Sequence, residues 1–124
     1  MATSFTPLTK DFAWTLSTTD SSGNPLPTGE ANSGSTVGIR ADGDTTHSAG
    51  NYQYLITVGP NVSTVTLSQV IQAKVPQGAN YWAAVDQTDM LNGSPATSVW
   101  TAEVPFSLPV QVVAPSAPTG FIVA

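Results

Sequence analysis

Residues 75–90, Val-Pro-Gln-Gly-Ala-Asn-Tyr-Trp-Ala-Ala-Val-Asp-Gln-Thr-Asp-Met, constrain the fold of this chain more than any other stretch. After the Pro-Gln-Gly turn, strict alternation sends Tyr81, Ala83 and Val85 to one face and Trp82, Ala84 and Asp86 to the other. That is the pattern of a central strand in a sandwich, and the remaining segments can be read as strands gathered around it.

Alternation recurs along the chain. Residues 11–18 place Phe12, Trp14 and Leu16 on one side, and residues 35–41 turn Val37 and Ile39 inward with Arg40 outward. Residues 51–58 put Tyr52, Tyr54, Ile56 and Val58 on one side, and residues 62–70 supply Val65 and Leu67. Residues 67–74 also fit a single helical turn. Asn92-Gly93 tolerates the positive φ angles of a tight hairpin, so a turn is expected over 91–95. The following strand, 97–108, would carry Trp100, Ala102, Val104 and Phe106 on one face. Pro105 and Pro109 lack the N–H of a central strand and predict an edge strand or a bent one. The segment 19–34, rich in Gly and Pro, predicts a long surface loop. The expected core is Phe12, Trp14, Leu16, Val37, Ile39, Tyr54, Ile56, Val65, Leu67, Tyr81, Ala83, Val85, Val104 and Phe106.

Composition narrows the class. With 124 residues the chain is one domain's worth: an arm over 1–10, a β-domain over 11–108 and a Pro-rich extension over 109–124. Lys10, Arg40 and Lys74 are its only cations and the formal net charge is −5, which disfavours nucleic acid and anionic membranes as partners. Solubility rests on Ser, Thr, Asn and Gln, which suit the outward faces of strands. Without cysteine there are no disulfides, thiolate metal sites or Cys nucleophiles, so packing must stabilise the fold. The amino terminus shows no basic segment followed by an apolar one, and no stretch reaches transmembrane length.

Strand-like segments at turn-punctuated spacing, about seven of them, fit an immunoglobulin-like sandwich of antiparallel strands with extended termini. More closely, the chain resembles a fibronectin type III domain. Trp14 matches the family's early tryptophan, residues 35–40 its next strand with an outward basic residue, and Val65 with Leu67 its later strand. Val75-Pro-Gln-Gly-Ala-Asn-Tyr81 is similar to its Leu-x-Pro-Gly-Thr-x-Tyr turn and tyrosine corner. The carboxyl-terminal Ala-Pro-Ser-Ala-Pro-Thr-Gly-Phe echoes the family's opening strand in another place. The resemblance implies a binding or spacer module.

Chemistry-bearing residues are sparse. His47, the only histidine, sits in a turn-rich segment and reads as a solvated loop residue. Asp42 and Asp44 offer oxygens to calcium but do not spell a calcium loop. The carboxylates are scattered, and no nucleophile elbow, phosphate loop or dinucleotide fingerprint occurs, so no enzyme activity and no cofactor are expected. Trp82, turned away from the core, would make an interaction anchor, or with Tyr52 a sugar-stacking platform. Phe121, Ile122 and Val123 end a polar chain with apolar residues that need cover. The resulting expectation is a structural protein that decorates or cements a larger assembly, a bacteriophage virion above all, with capsid or tail protein or further copies of itself as partners. It would be made in the host cytoplasm; the alternative is an extracellular carbohydrate-binding or adhesive module.

Overall fold

The computed structural model describes residues 3–26, 32–110 and 115–123. Parts of the expected arm, loop and extension, namely 1–2, 27–31, 111–114 and 124, lie outside the described residues. In chain order the elements are β1 (Thr6–Pro7), β2 (Asp11–Ala13), β3 (Asn32–Ala41), β4 (Tyr54–Val58), β5 (Thr64–Thr66), α1 (Leu67–Gln72), β6 (Ala79–Leu91), β7 (Ser94–Thr97) and β8 (Val104–Leu108).

β6 is the long alternating strand, and the larger sheet is built on it. β3 pairs antiparallel along one edge, from Asn32 opposite Asp89 to Ala41 opposite Tyr81. The other edge is divided: β8 takes residues 79–83 and β7 takes residues 88–91. β4 adds beyond β3, and β1 lies parallel to β8, giving the order β1-β8-β6-β3-β4. Asn92 and Gly93 join β6 to β7 with φ of 53° and 80°, both in the left-handed region that a two-residue hairpin turn of type I′ requires.

A β2–β5 ribbon and α1 form the second layer. Between the layers, Val37, Ile39, Ile56, Tyr81, Ala83, Phe106 and Leu108 of the sheet meet Val65, Val70 and Val75. Each large side chain so buried stabilises the fold by about 1.5–3 kcal/mol. Phe106 ties the layers together: Tyr81 stacks on it at 5.4 Å, and Phe12 meets it edge-on at 4.9 Å. The Tyr81 hydroxyl donates to the carbonyl of Pro76, closing the turn that leads into β6. The body is all-β in character and sandwich-like.

Several details differ from the sequence reading. Eight strands are present among the described residues, rather than about seven, and β1 with β8 is a parallel pair. The helical alternative for 67–74 is realised because Thr66 and Gln69 cap each other: Gln69 N–H donates to Thr66 Oγ1 at 3.2 Å and Thr66 N–H to Gln69 Oε1 at 2.8 Å. Val70 is then fully buried. The strand expected over 11–18 ends at Ala13, since its partner β5 is equally short. Beyond it, Ser17 is held by a side chain instead, donating to Gln87 Oε1 at 2.7 Å and accepting from Gln87 Nε2 at 3.0 Å. Leu16 consequently lies outside the core cluster. Within the expected arm, Leu8 is buried, and its N–H donates to Ser107 O at 2.9 Å.

Tyr81→Phe keeps the ring but removes the donor to Pro76. It should lower stability by about 1 kcal/mol in urea unfolding, with an unchanged m-value.

Candidate interaction surface

The face of the larger sheet that points away from the core is shaped by an interruption in the edge of β6. Between β7 and β8, residues 98–103 lie opposite residues 84–87, and the longer run must bow outward. Hydroxyl groups keep this bulge attached. Val85 N–H donates to Thr101 Oγ1 at 3.1 Å and Gln87 N–H to Ser98 Oγ at 3.0 Å, so both side chains stand in for strand carbonyls. In return, Thr101 N–H reaches Val85 O at 3.0 Å and Ser98 N–H reaches Gln87 O at 2.8 Å.

The bulge corrects the face expected for 97–108. Trp100 does not share the Phe106 side but packs on Tyr52 at 4.8 Å, while Val104, expected in the core, is 50% exposed. Tyr52 also departs from expectation. It precedes β4, crosses to the outer face and is buried over Gly38, where any Cβ would overlap its ring. Its hydroxyl is shut off from solvent without a hydrogen bond of good geometry, and burial pushes the phenol up from its ordinary value.

Beside this pair, Arg40 grips Glu103 with two bonds of 2.8 Å, Nε to Oε2 and Nη2 to Oε1. The fork geometry pins the end of the bulge to β3. The hydrogen bond from Arg40 holds the Glu103 carboxyl below its usual range, and the same bond raises the guanidinium. Trp82 stands opposite Arg40 across β3 and β6, on the face away from Tyr81 as alternation requires. The guanidinium lies 5.7 Å from its ring, Phe5 meets the ring edge-on at 5.7 Å, and its Nε1–H donates to Asp42 Oδ1 at 3.0 Å. Further along the same face, Asp86 accepts from Thr36 N–H at 3.1 Å, and burial raises its carboxyl.

Of the residues singled out from sequence, Trp82 and Tyr52 share this face, but they do not form one open platform. Tyr52 is covered and Arg40 with Glu103 lies between them. Asp42 is engaged by Trp82. Asp44 accepts from Thr46 N–H and Oγ1 and lies 2.7 Å from His47 Nδ1; the Thr46 and His47 contacts hold its carboxyl far below the usual range. His47 is thus partnered rather than freely solvated. Phe121, Ile122 and Val123 are 99%, 77% and 100% exposed. The sequence reading missed the polar cluster at the hairpin end. There buried Asp89 accepts from Asn32 Nδ2 at 2.8 Å and Gln87 Nε2 at 3.0 Å, and Asn32 Oδ1 accepts from Asn61 N–H. Its members are scattered in sequence, so no local pattern announced them.

No family model, no curated protein and no solved structure matches this chain. The geometry therefore has to speak for function. Among the described residues, no three His, Asp or Glu side chains gather around a point where a metal ion would sit. On the outer face Arg40 and Glu103 neutralise each other, while the carboxylates of Asp42 and Asp86 are each held by a neutral hydrogen-bond donor.

Because Glu103 ionises at lower pH in the folded chain than in the unfolded one, its contribution is complete above the ordinary glutamate range. It fades as pH falls through the depressed value. Glu103→Gln should cost about 1–2 kcal/mol at about pH 7, and the gap from the parent should narrow as pH falls through the depressed value. A gap that persists in acid would assign the loss to packing rather than charge.

Proposed function

We propose that this chain is a non-enzymatic structural module, an immunoglobulin-like sandwich that works as one subunit of a larger assembly. The observation that carries this reading is the placement of apolar surface. Phe121, Ile122 and Val123 are almost wholly exposed, and residues 110–124 contain no charged side chain to keep such a segment in water on its own. The carboxylates and the imidazole described above are each tied into local hydrogen bonds rather than aimed at a common point.

The finer fold assignment has its own support. β2 and β5 occupy the places of the paired B and E strands, while β3, β6 and β8 occupy those of C, F and G. Tyr81 near the start of β6 bonds back to Pro76 as the tyrosine of a tyrosine corner does. A bacteriophage particle is the assembly we propose. A cysteine-free module stabilised by packing keeps its fold in the reducing cytoplasm, where particles are built, and outside the cell, where they travel. Glycan stacking, the alternative reading, has only Trp82 left to carry it, since Tyr52 is buried.

Sedimentation of material from the native source, followed by quantitative mass spectrometry, tests the reading. The chain should travel at constant stoichiometry with particles far larger than 12.8 kDa. Recovery only as a free monomer would contradict it.

A further inference from the structure

The larger sheet ends on one side at β4, and that edge is the least guarded in the molecule. Val85 turns its N–H and C=O to Thr101, away from β3. The Val37–Val85 pair between β3 and β6 is therefore not hydrogen-bonded, and Val37 points its amide and carbonyl at Ile56 of β4 instead. Alternation repeats this for Ile39 with Tyr54 and for Ser35 with Val58. It leaves Leu55 and Thr57 with backbone N–H and C=O groups directed away from β3 in the plane of the sheet, and no partner among the described residues takes them. The other strands with a free edge are blunted: β1 and β7 are short and contain Pro7 and Pro95, and β2 and β5 have three residues each. β4 runs for five residues in unbroken register with neither proline nor charge, and Leu55 on it is 60% exposed.

We propose that β4 pairs antiparallel with β4 of a second copy of this chain, about a two-fold axis through Ile56. Two arguments choose this occupant. The first is hydrogen-bond register. With Ile56 opposite the partner's Ile56, each Leu55 faces the partner's Thr57, and such a pair exchanges both of its hydrogen bonds. Every outward N–H and C=O of Leu55 and Thr57 is then satisfied in both copies. A shift by two residues in either direction sets one of them against Gln53, before the strand begins, or against Gly59, whose carbonyl already accepts from Val62 N–H at 3.3 Å. On the outer face, Leu55 gains cover from the partner's Thr57 directly opposite and the partner's Leu55 on the diagonal. The second argument is charge. Residues 48–73, which contain β4, form the longest run in the sequence without a charged side chain, in a chain of net charge −5. Copies that repel each other through their carboxylates meet at least cost there. The contact is isologous, so it closes on a dimer with one continuous sheet and leaves no β4 edge for a third copy.

The proposal deepens the assembly-subunit reading by naming one contact. Its test uses the purified full chain, so failure here leaves co-sedimentation with native particles as a separate question. Sedimentation equilibrium at concentrations up to about 1 mM should show mass rising from 12.8 kDa to twice that value and no further. The dimer should form more readily at higher salt, as repulsion between copies is screened. Hydrogen exchange at both ends of the concentration range locates the contact. The Leu55 and Thr57 amides should gain at least about tenfold protection in the dimer, whereas Ile56 and Val58, which face β3, should be protected throughout. Leu55→Lys puts a charge on the edge, and Thr57→Pro removes an outward N–H without touching the ladder to β3. Each should weaken dimerisation at least about tenfold with an unchanged circular dichroism spectrum. A full chain that stays monomeric at every concentration overturns the proposal. So does a dimer whose Leu55 and Thr57 amides exchange as fast as in the monomer, or association that survives both substitutions.

Discussion

Everything in this molecule depends on β6 being paired along both edges and covered on both faces. One edge is continuous, with β3 matched to it residue by residue; the other is shared by two short strands with a bowed segment between them. A strand so placed has few backbone groups left for water, and its alternating side chains serve two interiors. Tyr81 and Ala83 face the main core, while Ala84 is buried on the outer face. That second interior exists because Gly38 lets the Tyr52 ring lie against the strand and because the bow brings Trp100 over to meet it.

The bow is thus the source of the molecule's individuality. An uninterrupted hairpin would have kept Trp100 on the Phe106 side. Instead the hydroxyls of Ser98 and Thr101 replace carbonyls in the ladder, and Arg40 clamps Glu103. Trp100 becomes a lid on one face, and a pocket opens beside Trp14 on the other. Interruptions of this kind re-aim side chains, and here one interruption sends Trp100 to Tyr52 and leaves Val104 half exposed.

How much of this was legible in the sequence follows from the range of the forces involved. The β6 alternation, the Asn92-Gly93 turn and the inward Val37 and Ile39 are local patterns, and the structure realises them. The helix after β5 was legible only as an alternative, although Thr66-x-x-Gln69 spells its capping box. What could not be read was register. Whether residues 97–108 pair continuously or bow depends on side-chain hydroxyls meeting amides on a distant strand, and periodicity alone carried Val104 into a core from which it is half excluded. Tyr52 was misplaced for a related reason: alternation was extended past the point where the chain leaves the strand. The Asp89 cluster joins Asn32, Gln87 and Asp89 across long sequence separations and has no local signature at all.

The most direct measurement of the central claim is native-state hydrogen exchange of individual amides. If the bow is an integral part of the sheet, the Val85 and Gln87 amides, whose acceptors are the Thr101 and Ser98 hydroxyls, should be protected to nearly the same extent as Val37 and Ile39. They should exchange only on global unfolding. Fast exchange at Val85 and Gln87 while Val37 and Ile39 stay protected would mean that segment 98–103 is a detached loop, and the account of the outer face would fall with it.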